Sequence, residues 1–167
     1  MQSFRLRDVQ PGDADAYLRM RCDPVMMSEL GGPQLQEDVL LKVSGDVAAA
    51  RSGESWILMI ELDGGQVAGT VVVWAHEVNG THLSEIGWMV LPEYQGQGLA
   101  SAAVRETLAR AGVERRWGTV HAFTAFTNVA SNALCRSVGF TLQGQQEIEF
   151  MASPGAFFIA NHWTITP

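Results

Sequence analysis

The sequence predicts a single α/β domain built on a mixed, mostly antiparallel sheet, and three observations support this prediction. Two hairpin signals, Asp63-Gly64-Gly65 and Asn79-Gly80, separate three apolar segments typical of consecutive antiparallel strands. A glycine-containing loop then opens a long amphipathic helix that begins at Leu99. A strand over residues 119–126 follows this helix, and a strand–helix–strand crossover usually makes its two strands parallel. Together with the elements below, we expect six to seven strands and about four helices in one domain, residues 1–167.

The first fifty residues predict an edge strand and two helices. Phe4-Arg5-Leu6-Arg7 alternates apolar and charged side chains, as a strand at a sheet edge does. Asp13 is predicted to cap a helix over residues 14–21. Pro33 is well placed in the first turn of a second helix, in which apolar residues recur at helical spacing to about Ala50.

The middle of the chain predicts three strands and then the long helix. This helix runs to about Arg116, where Gly118 ends it, and Glu106 and Arg110 have the spacing of a favourable i,i+4 pair. The three predicted strands are residues 56–62, 66–75 and 81–91.

The last forty residues predict one more helix and a closing pair of strands. Asn128 is a good cap for this helix, and Gly139 is typical of a helix C-terminus. Residues 145–151 and 157–165 are predicted to pair antiparallel around Ser153-Pro154-Gly155.

Composition excludes several classes of function. Hydrophobic residues make up 47% of the chain and charged residues 17%, which is typical of a globular protein. A formal net charge of −7 argues against a broad nucleic-acid surface and is compatible with a cationic acceptor such as an amine. No apolar run reaches the roughly 18 residues of a membrane span, and no signal peptide is evident. Cys22 and Cys135 have no metal-ligand spacing, and a reduced cytoplasmic protein without a metal is expected.

The loop Gln95-Gly96-Gln97-Gly98-Leu99-Ala100 is suited to bind a pyrophosphate. Its glycines let backbone N–H groups approach an anion, and the helix that follows directs the positive end of its dipole to the same place. The endings of the Walker and Rossmann loops are absent. The pattern Gln-x-x-Gly-x-Ala resembles the Gln/Arg-x-x-Gly-x-Gly/Ala loop of the GNAT family of N-acetyltransferases, which bind acetyl-CoA there.

A second segment, Asn128-x-x-Ser131-x-x-Leu134-x-x-x-x-Gly139-Phe140, resembles the family's later Asn…Ser…Gly-Phe segment beside the pantetheine arm. Helix capping alone would also explain Asn128 and Gly139. The two motifs are about one helix and one strand apart, as in the family. The resemblance covers roughly residues 66–140.

The resemblance implies a metal-free acetyl transfer from acetyl-CoA to an amine, in a fold whose parallel strands splay apart to admit the ligand. The backbone of Met89, Val90 and Leu91 would face the acetyl-pantetheine arm, and one of its N–H groups would stabilise the oxyanion of the tetrahedral intermediate. The glycine loop would hold the pyrophosphate, and Asn128 the pantetheine. The implied cofactor-binding residues are Met89, Val90, Leu91, Gln95, Gly96, Gln97, Gly98, Leu99, Ala100 and Asn128.

Two catalytic roles need candidates. An amine attacks only when it is neutral, so a general base is required, and Glu85 occupies the position where several family members carry a catalytic glutamate. An exposed or salt-bridged glutamate is the alternative, and His76, His82 and His121 are weaker candidates. Many members donate a proton to the leaving thiolate from a tyrosine in the last helix.

In this chain Cys135 occupies the place of that tyrosine. Ser131 is favoured over Cys135 as the acid, and transfer without a dedicated acid is the third possibility.

The acceptor is open between a small-molecule amine and a protein N-terminus. Asp23-Pro24-Val25-Met26-Met27, followed by Gly31-Gly32-Pro33, resembles the branch that acetylates protein N-termini, including ribosomal ones. The alternative function is a non-catalytic acyl-CoA-binding or sensor module. The final strands are also candidates for pairing across a homodimer.

Overall fold

A computed structural model describes residues 2–78, 81–150 and 155–167 and shows a seven-stranded sheet with the order β1-β2-β3-β4-β5-β7-β6. Every neighbouring pair is antiparallel except β4 and β5, which are parallel as the crossover predicts. The predicted mixed, mostly antiparallel α/β fold is therefore confirmed. The strands are β1 (Phe4–Asp8), β2 (Trp56–Leu62), β3 (Val67–Val78), β4 (Thr81–Val90), β5 (Val120–Ala125), β6 (Thr141–Glu149) and β7 (Phe157–Ile165).

Four α-helices in the described chain cover the two faces of the sheet. One core lies under the first two helices and includes Tyr17, Met59 and Met89. The other lies under the last two and includes Ile86 and Val104. Alternate residues of each strand point to opposite faces, so β2, β3 and β4 contribute to both cores, while β5 and β7 contribute to the core under α3 and α4. The helices are α1 (Ala14–Arg21), α2 (Gln36–Ser52), α3 (Leu99–Glu114) and α4 (Val129–Val138).

Two predicted helix boundaries are wrong. α2 begins at Gln36, after an extended Leu35, so Pro33 precedes the helix. α3 ends at Glu114, because Arg115 adopts the left-handed conformation with φ 54° and its N–H bonds Ala111 O. Gly118 therefore lies beyond the helix end that it was predicted to make.

Two predicted side-chain interactions also differ. Arg110 pairs with Glu114 (Nε···Oε1 2.8 Å) rather than with Glu106. Asp13 precedes α1, yet its carboxylate makes no cap bond to that helix. It accepts hydrogen bonds from the Arg7 guanidinium at 2.7 and 2.8 Å and from the Gln10 N–H at 2.7 Å, and so joins β1 to the turn that follows it.

The predicted turns at Asn79-Gly80 and Ser153-Pro154 lie outside the described residues. Cys22 and Cys135 are both free thiols. Among the residues that the structure describes, no helix combines the length and apolar composition that crossing a bilayer requires.

Gly69 allows β3 to approach β4 unusually closely. A Cβ atom on Gly69 would lie 2.2 Å from Met89 O and 2.9 Å from Val90 Cα, both of which are backbone atoms. Since these atoms cannot rotate away, any side chain would force the strands apart. A residue of β3 thus fixes the position of the C-terminal end of β4.

We expect Gly69→Ala to destabilise the protein by about 1–3 kcal/mol, the usual cost of overpacking a filled interior. Gly45→Ala is the matched control, because a Cβ at Gly45 in the middle of α2 would meet open space. That control should instead stabilise the protein by about 0.5–1 kcal/mol. Thermal unfolding of both variants measures whether each substitution lowers or raises the stability. Equal melting temperatures would contradict the close approach of β3 and β4 at Gly69.

Candidate active site

A gap opens between β4 and β5 in the middle of the sheet. The two strands pair only at Ser84↔Val120 and Glu85↔His121. Beyond this point β4 keeps its pairing to β3, and β5 keeps its pairing to β7. The facing backbone edges of the two strands are therefore free of each other, and their N–H and C=O groups require other partners.

Side chains on the β4 wall of the gap are turned into the two cores. Met89 and Val90 are each 8% exposed and Leu91 is 1% exposed. Only backbone atoms of these residues are thus placed to contact a ligand in the gap. Two of these backbone groups are already used: the Gln95 side-chain amide donates to Val90 O at 2.8 Å, and the Leu91 N–H donates to Ala68 O of β3 at 2.8 Å.

The glycine loop connects β4 to the N-terminus of α3. Gly96 and Gly98 adopt left-handed conformations, with φ of 70° and 79°. Gln97 donates to Glu93 O at 2.9 Å, so its side chain, like that of Gln95, stabilises the loop itself. Leu99 is buried and anchors the start of the helix.

The first turn of α3, next to this loop, has no acidic residue and no side-chain cap. Its N–H groups and its positive dipole end are consequently available to an anion.

Glu85 lies where the gap begins. Its side chain is 16% exposed, and its Oε2 is 2.9 Å from His76 Nε2 on β3. Burial raises the pKa of Glu85, and the hydrogen bond and charge of His76 oppose that rise. A largely buried carboxylate whose pKa is raised is a stronger proton acceptor than an exposed one. The structure does not show Glu85 as a simple exposed residue, which was one of the predicted alternatives.

His121 and His162 form a pair of imidazoles next to the Glu85–His76 pair. His121 Nδ1 and His162 Nε2 are 2.8 Å apart. Burial lowers the pKa of both side chains, and each is lowered further by a neighbouring histidine. His162 was not identified from the sequence, because only the pairing of β5 with β7 brings it next to a residue 41 positions away.

Three described histidines and one carboxylate thus meet at the end of the gap. No group of three or more such side chains in the described residues has the geometry to hold a metal ion.

Aromatic rings complete this face of the sheet. Trp74 lies across Gly87, since a Cβ on that glycine would be 3.5 Å from the indole ring. Phe123 stacks on His162 with ring centroids 4.7 Å apart. Trp74 Nε1 is buried without a hydrogen-bond partner in the described chain. These residues point away from α3 and α4, on the same face as Glu85.

The start of α4 borders the other wall of the gap. Asn128 caps the helix as predicted, with its Oδ1 accepting the Ser131 N–H at 3.0 Å. Its side-chain nitrogen has no partner among the described residues and can donate to a ligand. Ser131 is half-buried in the first turn. Cys135 is completely buried in the core, and burial raises the pKa of its thiol to about 12.

Asn132 fixes α4 against the sheet, a role that no motif in the sequence indicates. Its Oδ1 accepts hydrogen bonds from Thr124 Oγ1 at 2.8 Å and from Asn161 Nδ2 at 2.7 Å. Its Nδ2 donates to Ala125 O at 2.9 Å and to Asn128 O at 2.8 Å. The wall that carries Asn128 is therefore held by a buried, satisfied polar network.

Comparisons with known proteins agree with this geometry. A family model described as an acetyltransferase (GNAT) domain matches residues 3–141. No curated protein sequence matches the chain significantly.

Solved structures with this fold cover nearly the whole chain. An acetyltransferase from Salmonella typhimurium that modifies the N-terminal serine of ribosomal protein L7/L12 has a TM-score of 0.82 and 20% identity, with 100% of this chain and 96% of that chain covered. Spermidine N-acetyltransferase from Vibrio cholerae, in complex with CoA and spermine, has a TM-score of 0.79 and 20% identity, with 98% of this chain and 95% of that chain covered. RimJ from Mycobacterium smegmatis, in complex with CoA-disulfide, has a TM-score of 0.75 and 26% identity, with 96% of this chain and 80% of that chain covered. Because the family model spans well over half of its length, the chain belongs to the GNAT acetyltransferase family.

Proposed function

We propose that this protein is an acetyl-CoA-dependent N-acetyltransferase that acetylates a primary amine, on either a small molecule or a protein N-terminus. The observation that carries the proposal is the position of Glu85, a buried carboxylate at the point where β4 and β5 separate. Family membership supplies the cosubstrate class, and structural relatives that modify an N-terminal serine or spermidine support an amine acceptor.

Acetyl-CoA would lie in the gap with its pyrophosphate at the glycine loop. Backbone N–H groups of residues 95–100 and the start of α3 are available there, with no acidic side chain in the first helical turn. The pantetheine arm would run along the edge of residues 89–91 that faces the gap and accept a hydrogen bond from the Asn128 amide. This arrangement would bring the thioester close to Glu85.

The reaction would proceed by direct attack. The acceptor nitrogen forms a bond to the thioester carbonyl carbon while its proton passes to Glu85. A backbone N–H on the β4 wall stabilises the oxyanion until the C–S bond breaks. Ser131 would protonate the leaving thiolate. Cys135 is a poor donor for this step, because its thiol is completely buried in the core, whereas Ser131 is half-buried in the first turn of α4.

The first test of the cosubstrate site is a calorimetric titration with acetyl-CoA. Gly98→Trp should raise the Kd at least about tenfold, because a side chain at φ 79° both strains the loop and fills the anion site. Gly118→Trp is the matched control, since Gly118 is also left-handed, at φ 59°, but is remote in sequence from the loop. A folded wild-type protein without affinity for acetyl-CoA would overturn the proposal.

Turnover against pH tests Glu85. We expect kcat/KM of the wild type to fall in acid as Glu85 and the acceptor amine take up protons. Glu85→Gln should lower kcat by about 10²–10⁴ and remove the part of the profile that belongs to the carboxylate. An unchanged profile would rule Glu85 out as the base. Acetyl-CoA binding with no turnover on any amine would instead indicate a non-catalytic binding module.

The same variant should have the opposite effect on stability. Because burial raises the pKa of Glu85, keeping the carboxylate ionised costs folding free energy above its unfolded pKa of about 4.3, and that cost is relieved as the pH falls through the raised value. Glu85→Gln removes this cost, so its melting temperature should exceed that of the wild type at pH 8. The advantage should shrink in acid. A lower melting temperature at pH 8 would mean that the hydrogen bond to His76 outweighs the burial.

Two substitutions on α4 test the proton donor. Ser131→Ala should lower kcat at least about tenfold without changing the Kd for acetyl-CoA. Cys135→Ala should lower the melting temperature through the cavity it leaves and keep kcat. Single-turnover kinetics and thermal unfolding separate the two effects; wild-type turnover in both variants would mean that the thiolate leaves without a dedicated acid.

A further inference from the structure

One face of strands β4–β7 is left uncovered by helices and leads directly to Glu85. α1 and α2 pack on this face over β2 and β3, while α3 and α4 pack on the opposite side. We use the name acceptor face for the side chains of β3–β7 that point away from α3 and α4. A molecule that attacks the thioester from the side of Glu85 must lie against this face.

The acceptor face is mostly aromatic around Glu85. Trp74 is the cross-strand neighbour of Glu85, and its indole lies over Gly87, where no side chain competes for the space. On the far side of the gap, Phe123 and His162 stack within 22° of parallel. An apolar ring placed between these two surfaces would contact aromatic carbon on both sides.

The charge on the acceptor face is that of a single carboxylate. Among the described residues of β3–β7 that share this face, Glu85 is the one acidic side chain, and none is lysine or arginine. Burial lowers the pKa of His121 and of His162, which disfavours a positive charge on these rings beside an ammonium group. An amine with one positive charge is matched here by Glu85, whereas a second ammonium would find no second carboxylate among the described residues of this face and could contact only ring faces.

Glu29, an acidic residue of the segment between α1 and α2, lies far along β5 from Glu85. Glu29 Oε2 accepts a hydrogen bond from Thr127 Oγ1 at 2.7 Å, two residues beyond the end of β5. From His121 to Ala125 alone, the strand spans roughly 13 Å. Glu29 therefore does not supply a second anion next to Glu85.

Polar atoms on the acceptor face largely satisfy one another. His76 bonds Glu85 Oε2, and His121 bonds His162. Few groups remain to pair with the backbone amides of a peptide, and unpaired amides are costly to desolvate. Glu85 Oε1 has no partner in the described chain and is left for the amine.

We propose that the acceptor is a small primary monoamine with a flat apolar body, and that Trp74 and Phe123 are the residues that select it. This inference rests on the proposed N-acetyltransferase function. A polyamine carries charges that the acceptor face does not match, and a peptide brings backbone groups that it does not satisfy.

The test compares three acceptors with the full-length wild-type protein: 2-phenylethylamine, spermidine and a short peptide with a free N-terminal serine. We expect kcat/KM for 2-phenylethylamine to exceed the other two values at least about tenfold. Binding of 2-phenylethylamine is measured separately, by calorimetry in the presence of CoA, so that recognition and chemistry are read independently.

Variants identify the surface. Phe123→Leu and Trp74→Leu should each raise the KM for 2-phenylethylamine about threefold to tenfold, the range expected for one aromatic contact, with kcat and the Kd for acetyl-CoA close to wild type. Phe157→Leu is the matched control, because Phe157 is an exposed aromatic residue of β7 on the opposite face. Two positions are tested so that a folding defect in one, seen by thermal unfolding, leaves the other informative.

Each outcome has one meaning. Equal or better turnover of spermidine or of the peptide would overturn this inference and leave the proposed function standing. Binding of 2-phenylethylamine that both aromatic variants weaken, without transfer to any amine, would support the acceptor face and overturn the catalytic function. No binding and no transfer of 2-phenylethylamine would overturn the inference whatever the other acceptors do.

Discussion

The separation of β4 from β5 is the constraint on which the rest of this structure depends. A continuous sheet would pair these strands along their full length, yet their pairing stops after Glu85 and His121. The backbone groups released by this separation are the ones available to a ligand, so the sheet gives up part of its own hydrogen bonding at this place. Neighbouring elements compensate on both sides: Gly69 brings β3 tightly against the end of β4, and the Asn132 network fixes α4 on the β5 side.

Glu85 illustrates how position and burial together set chemical behaviour. The carboxylate lies at the last paired position of the two strands, between His76 on β3 and His121 on β5. Burial raises its pKa, while His76 keeps the rise in check. The cost in stability and the proposed role of Glu85 as a base would arise from the same desolvation, as is common at active sites.

Local signals predicted most of the elements but few of the contacts across the sheet. Turn residues, alternation and the glycine loop depend on neighbours in sequence, and they predicted the strand order through β5 and the Asn128 cap. His162 and Gly69 matter because of strand register, which joins residues far apart in the chain. The predicted end of α3 is wrong because Arg115 adopts the left-handed conformation, which sequence patterns normally place at a glycine. Arg110 pairs with Glu114 and not with Glu106; both glutamates are four residues away from it, so spacing alone could not distinguish them.

The buried side chains of Met89, Val90 and Leu91 have a consequence for how such a protein can change over evolutionary time. Where a ligand contacts only the main chain, side chains are free to drift as long as they fill the core. Solved structures with about one residue in five identical to this chain keep the same fold. The proposed acceptor face differs, because it would select its amine through side chains such as Phe123. Cosubstrate binding would then tolerate changes in sequence, whereas a few substitutions on the acceptor face would be enough for a new acceptor, without rebuilding the cosubstrate site.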